Sequence, residues 1–315
     1  MKKLVTIAIT VMLVFSVGFA NGQGYTFRVL ANKGQNKVKK AGSSAAIALK
    51  TGATLAGGDE LIASNGAYIG LMHKSGKTLE VRTSGSKKVS ELEKLVSTKT
   101  ASVSSRYANF LSEKMNEKEK PGYRSRLNAT GAAKRALAGN EVIQVLVPED
   151  ASVIGGNAIV SWDVPEGMEM NTFVVIVKNI FDEEIMKQEV NENFINLDFT
   201  SEQMANEEGL YIITVKAKEN MDVTSGDIGL KRLTGEDAAE YQEGLTALSS
   251  DIDNGSPLGK IIYASYYEEN GLVMDALTQL EEAIRMSPEV DDFKELRKDL
   301  IERNSIKIYE EAGDE

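Results

Sequence analysis

The sequence predicts a mixed, multidomain chain: an all-β N-terminal domain, a β-sandwich in the middle and an α-helical module at the C-terminus. Three observations carry that expectation. From residue 141 to 233, short runs with period-two apolar alternation are separated by Gly, Asn, Asp and Glu, the pattern of half-buried strands. From Ile47 to Thr83, Gly-containing turns fall at hairpin spacing. Beyond Thr234 the apolar residues recur at helical period.

Taken in order, the chain opens with Lys2 and Lys3, an apolar run from Leu4 to Phe19, and Ala20-Asn-Gly22, which reads as a signal peptide cleaved before Gln23. The run is short for a membrane span and no later stretch approaches that length, so the mature chain is expected to be soluble. There is no cysteine, hence neither a disulfide framework nor a lipid anchor behind the signal. A chain of 315 residues, 42% of them hydrophobic, can bury two or three cores, and without cysteine burial alone must supply the stability, which is ordinary for a bacterial periplasmic protein; a Gram-negative periplasm is the expected compartment.

Residues 23–90 read as the β domain. Tyr25 to Leu30 is a strand and Asn32 to Lys40 a basic turn region. Glu60 to Ala63, Ala67 to His73 and Thr78 to Thr83 are strands, with Ile69 and Leu71 alternating on one and Leu79 and Val81 on the next. Gly before Leu55, then Gly58-Asp59, an apolar pair, Ser64-Asn-Gly-Ala67, a strand, Ser75-Gly76 and a strand: this succession resembles the FecR-type periplasmic domain of iron-dicitrate regulators. The resemblance implies a small β domain and, as one functional reading, a ligand-sensing regulator.

Residues 91–140 read as a helix followed by a basic linker. Ser90-Glu-Leu-Glu93 has the form of a capping box, and Leu92, Leu95, Val96, Val103, Tyr107, Phe110 and Leu111 fall near helical spacing, interrupted by the Ser/Thr/Val-rich stretch 97–105. Lys114 to Gly139 holds Pro121-Gly122 and the basic residues Arg124, Arg126, Lys134 and Arg135 among small residues, where a domain boundary is expected.

Residues 141–233 are the sandwich. Leu210 to Lys218 is its clearest strand, with Tyr211, Ile213, Val215 and Ala217 on the core face. Asn157 to Val164, Thr172 to Val177, Glu184 to Val190, Phe194 to Phe199 and Ile228 to Leu233 supply further strands, and Ser201 to Glu208 reads as a helical turn. Trp162-Asp-Val-Pro165 on an early strand and Tyr211-Ile-Ile-Thr-Val-Lys-Ala217 on a late one resemble a fibronectin type III domain, a family that spaces and binds.

Residues 234–304 are the helical module and 305–315 an acidic tail. Thr234-Gly-Glu-Asp237 caps a helix to about Ser250. From Pro257 to Val290, Tyr267, Gly271, Ala276, Ala283 and Pro288 stand where a tetratricopeptide repeat has its Tyr, turn Gly, two packing Ala residues and closing Pro, and the stretch resembles one such repeat. A single helix pair cannot bury its apolar face, so the helices at 236–250 and 290–303, with Phe293, Leu296 and Leu300, must complete the layer.

Charge divides the chain. Residues 23–140 carry 21 Lys and Arg against 8 Asp and Glu, a net of +13, and residues 141–315 carry 13 against 39, a net of −26. Either the two surfaces are simply solvated, or the basic half meets an anionic surface or the acidic part of a neighbouring copy.

Catalytic and metal constellations do not assemble from the sequence. One His and no Cys cannot make a zinc site, and His73 reads as a surface histidine. Asp251-Ile-Asp-Asn-Gly-Ser256 lacks a calcium loop's ligands at Gly255 and Ile262 and reads as an inter-helix turn. Gly70 and Gly76-Lys-Thr78 miss the phosphate-loop spacing, and Ser84-Gly-Ser-Lys87 lacks the companions of penicillin-recognising enzymes. No cofactor, catalytic or metal residue is therefore assigned.

For partner binding the candidates are Tyr263 and Tyr266, which could line a peptide groove although helix packing competes for them, and the basic residues Arg124, Arg126, Lys134 and Arg135. The expected function is a non-enzymatic, exported cell-envelope adaptor for other proteins, with an outer-membrane complex among the expected partners. The alternatives are a peptidoglycan- or lipopolysaccharide-binding protein acting through the basic half, and a FecR-like sensor; nucleic acid is excluded as a partner.

Overall fold

The computed structural model describes residues 24–96, 105–107, 109–111, 114, 143–164, 170–205 and 209–306. The N-terminal strands are β1 (Phe27–Lys33), β2 (Lys37–Lys39), β3 (Ala46–Ala48), β4 (Thr54–Leu55), β5 (Glu60–Ala63), β6 (Tyr68–His73), β7 (Thr78–Val81) and β8 (Gly85–Lys88), followed by the short helix α1 (Val89–Glu93). They pair antiparallel into two four-stranded sheets, ordered β4-β1-β6-β7 and β3-β2-β5-β8. Phe27, Val29, Ile69 and Leu71 from the first sheet and Val38 and Leu61 from the second share a core with Leu55 and Val89.

Buried Asp59 holds the turn before β5. Its carboxylate accepts from the backbone of Ala41 and Ala56 and from Lys40 Nζ at 2.8 Å. Burial raises its pKa, but these donors outweigh burial and hold it below the usual carboxylate range. Two expectations are corrected here. The basic region 32–40 contains strand β2. Helix α1 begins at Val89, with Lys88 at its cap and no side-chain cap bond, so the Ser90–Glu93 capping box does not form.

The middle strands are β9 (Gln144–Val145), β10 (Ser152–Val153), β11 (Asn157–Asp163), β12 (Phe173–Lys178), β13 (Glu184–Val190), β14 (Phe194–Asp198), β15 (Leu210–Ala217) and β16 (Ile228–Arg232). They form a three-stranded sheet, β14-β11-β9, and a five-stranded sheet, β10-β16-β15-β12-β13, antiparallel except for the β10–β16 pair. Tyr211, Ile213, Val215 and Ala217 are buried, as the alternation predicts. They join Trp162, Ile195 and Leu197 of the smaller sheet in one core, where the Trp162 ring meets Phe173 edge-on at 5.3 Å. A hydrogen-bonded turn at Ser201–Ala205 precedes β15, and the buried Tyr211 hydroxyl donates back to the carbonyl of Met204.

Four helices follow: α2 (Gly235–Asp251), α3 (Pro257–Glu269), α4 (Val273–Met286) and α5 (Asp291–Arg303). Ser256 caps α3 by accepting from Gly259 N, with Pro257 in the first turn. Gly271, at φ +76°, makes the tight connection into α4. Ala276 and Ala283 are fully buried where α4 packs. Among the described residues no helix is long and apolar enough to cross a membrane.

The helices do not close on themselves. The core of the middle sheets runs without interruption through α3, α4 and α5 and on to Leu30, Ala31, Tyr68 and Met72, on the outer side of β1 and β6. A bulge between Val29 and Ala31 sets Leu30 and Ala31 into this second core. Strand β6 is consequently buried at all six positions, with one face on its own domain and the other on the helices.

Candidate functional site

The helical unit is wedged between the two β regions, and the polar groups along its two seams do structural work at helix ends. Toward the N-terminal sheets, Lys77 Nζ donates to the carbonyl of Asp251 at 3.1 Å and to its carboxylate at 2.6 Å, placing a cation at the C-terminus of α2. Glu80 Oε1 accepts from Leu258 N at 3.0 Å in the first turn of α3 and from the Tyr68 hydroxyl at 2.9 Å. Asp292, at the start of α5, accepts from Asn32 N and from the Thr51 hydroxyl. Apolar contacts complete this seam. Tyr68 meets Phe293 edge-on at 5.6 Å, and a Cβ on Gly70 would lie 3.3 Å from Leu258.

Toward the middle sheets, Asp275 in the first turn of α4 is 2% exposed and accepts from Ile154 N at 3.0 Å and Gly155 N at 2.9 Å. Burial pushes its carboxyl up to about 7 against the opposing pull of those two N–H groups. Thr278, one turn on, donates to Met274 O and accepts from the buried N–H of Ile159. Glu281 and Glu282 reach Ser161 and Asn157 on β11, and Arg297 of α5 bridges Glu281 to Ser161.

One further cluster resembles catalytic machinery. The Ser75 hydroxyl lies 2.7 Å from His73 Nδ1, and His73 Nε2 lies 3.5 Å from Glu93 Oε1, a line with the polarity of nucleophile, base and acid. His73 is 2% exposed, which corrects the expectation of a surface histidine. The nearby amides are already used: Ser75 N donates to His73 Nδ1 and Gly76 N to the carbonyl of His73. Neither is left to stabilise an oxyanion. Lys74, and secondarily His73, hold the Glu93 carboxyl below its ordinary range. The cluster locks the β6–β7 turn. Among the described residues no group of three or more His, Cys, Asp or Glu could hold a metal ion.

The predicted partner-binding residues are distributed differently. Tyr263 and Tyr266 are 5% and 3% exposed, so their rings are committed to packing and line no open groove. The Tyr266 ring meets Tyr107 at 5.0 Å and Tyr267 at 5.5 Å, its hydroxyl donates to Tyr241 O, and burial pushes the phenol up to about 12. Arg124, Arg126, Lys134 and Arg135 lie outside the described residues, as do the signal segment and the acidic tail. Asp251 of the calcium-like loop is paired with Lys77, and Asp253 Oδ1 accepts from Gly255 N.

A feature that the sequence reading passed over is the β12–β13 hairpin tip, where Phe181 is 71% and Ile180 49% exposed. Asn179 Oδ1 accepts from Phe181 N and Glu183 N, Lys178 pairs with Asp182, and Asp182 sits at φ +67°. The tip is therefore a locked turn that presents two large apolar side chains. Compared with models of known protein families and with curated protein sequences, the chain matches none.

Proposed function

We propose that this chain is an exported, non-enzymatic scaffold of a bacterial cell envelope, which holds two β domains in one fixed orientation for protein partners. The observation that carries the reading is the wedge: one helical unit packs on both β regions, and its buried polar groups cap helices and join sheets. A tether of independent beads would leave those seams wet. The export assignment rests on the signal-like segment before Gln23.

Three features support the domain resemblances. The three-plus-five division of strands and the Tyr211 hydroxyl bonded back to Met204 agree with a fibronectin type III-like sandwich and its tyrosine corner. The helix–Gly271–helix hairpin with buried Ala276 and Ala283 agrees with a tetratricopeptide-type unit. The paired four-stranded sheets agree with a FecR-like β domain.

The test is passage of solubilised envelope over the immobilised chain, with sedimentation against purified wall material in parallel. Retention of a discrete set of envelope proteins is expected. Recovery of no protein, or salt-sensitive pelleting with wall alone, would sink the reading and favour the polysaccharide alternative.

A further inference from the structure

The hairpin tip and the N-terminal edge strand carry complementary surfaces. From Asn179 to Glu192, five acids stand against one lysine around the exposed Ile180 and Phe181; Asp182 is paired with Lys178 and Glu189 with Lys218, which leaves Glu183, Glu184 and Glu192 as the acidic collar. Strand β13, which continues from this tip, is the outer strand of its sheet, so among the described residues one edge of its backbone has no strand partner. On the N-terminal region, β3 is likewise an outer strand and all three of its residues are exposed. Ile47 at its centre is 55% exposed. Residues 33–58 around it hold five lysines and no acid; Lys40 is paired with Asp59 and Lys39 stands opposite Glu60, while Lys37 and Lys50 are exposed.

Within a single chain Phe181 and Ile47 both stay exposed, so neither covers the other. Pairing β13 with its own copy, antiparallel about its centre, sets Lys187 on Lys187 and brings two acidic collars together, which charge disfavours. Setting the acidic tip and edge on the basic region around β3 instead brings unlike charges together and offers cover to both Phe181 and Ile47.

We infer that the occupant of the acidic tip and edge is the basic β3 edge of a second copy, so that the chain associates head to tail. This contact is heterologous and leaves one free donor and one free acceptor edge at the ends, so assembly proceeds by open-ended growth. The inference rests on the scaffold reading and names its partner.

Sedimentation velocity of the purified chain over a range of concentrations, at low and high salt, tests it. The weight-average sedimentation coefficient is expected to rise with concentration at low salt and to fall back at high salt. Phe181→Asp should weaken association by about tenfold or more, as loss of a central aromatic anchor does. Glu183→Lys/Glu184→Lys and Lys37→Glu/Lys50→Glu should each stay monomeric alone and associate when mixed. All these side chains are exposed or half-exposed, and circular dichroism checks that each variant is folded. A single monomeric species at every concentration, association that survives Phe181→Asp, or charge-reversed variants that fail to complement would each overturn the proposal. Pelleting of a monomeric chain with phosphatidylglycerol vesicles, lost in Phe181→Asp, would assign the tip to a membrane instead and also overturn it. Because only the purified chain is used, a negative result leaves the envelope-capture test of the scaffold reading undecided and separate.

Discussion

The carboxylate of Asp275 accepts the backbone N–H of Gly155 at 2.9 Å, joining the first turn of α4 to the loop before β11, in a seam where Asp275 is almost fully buried. Its carboxyl is raised to about 7 in the fold from 3.8. A raised carboxyl favours the folded state while protonated, so its contribution is complete below pH 3.8 and is lost as pH climbs through about 7. Between pH 5 and 8 the loss is on the order of 2 kcal/mol. Asp275→Asn, with no titration, should flatten that part of the Tm-against-pH curve. Parallel curves for the two proteins would refute the assignment.

Thr278→Val keeps the side-chain shape but removes the acceptor of the buried Ile159 N–H. The expected cost is about 1–3 kcal/mol in urea denaturation. A change under about 0.5 kcal/mol would mean that the N–H finds another partner.

Leu258, fully buried, fills the space that Gly70 leaves. Leu258→Ala should cost about 2–5 kcal/mol and shift the whole unfolding transition, since both β regions share that core. Gly70→Ala alone should destabilise by crowding Leu258, and the penalty should shrink in the Leu258→Ala background. Two separated transitions, only one of them displaced, would show that the regions unfold independently.

Tyr211→Phe removes the buried hydroxyl that holds Met204 and the turn before β15. A loss of about 1–2 kcal/mol is expected from equilibrium denaturation, and an unchanged midpoint would count against the corner-like role.

A fluorophosphonate probe should leave the native chain unlabelled, because the amides beside Ser75 are consumed within its own turn. Labelling that disappears in Ser75→Ala would make Ser75 a working nucleophile and end the non-enzymatic reading.

Much of the local structure was legible. Period-two alternation located β15 and the β6–β7 hairpin, and the Gly271 turn and Pro257 start located the helices. Alternation reports which face of a strand is apolar, not what lies against it. It therefore described Ile69 and Leu71 and was silent on the opposite face of β6, where Tyr68, Gly70 and Met72 meet the helices. Gly70 was the available signal, since a glycine inside a strand marks a close approach. For Tyr263 and Tyr266 a groove and helix packing competed on paper, because one helix carries apolar residues on more sides than a single repeat can bury; the structure buries both, and Tyr266 packs against Tyr107 and bonds Tyr241 O, both distant in sequence. His73, Ser75 and Glu93 could not be joined on paper, because Glu93 reaches the turn only through the path of β8 and α1.

The contact of Asn32 N with Asp292 spans 260 positions. Ribosomes deliver β1 early and α5 late, so Tyr68 lacks Phe293 and Asn32 lacks Asp292 until α5 emerges, although Leu258 of α3 can already lie on Gly70. A product truncated before residue 291 would leave the Tyr68 ring without Phe293 over it, an apolar spot by which chaperones and proteases could tell a finished polypeptide from an aborted one.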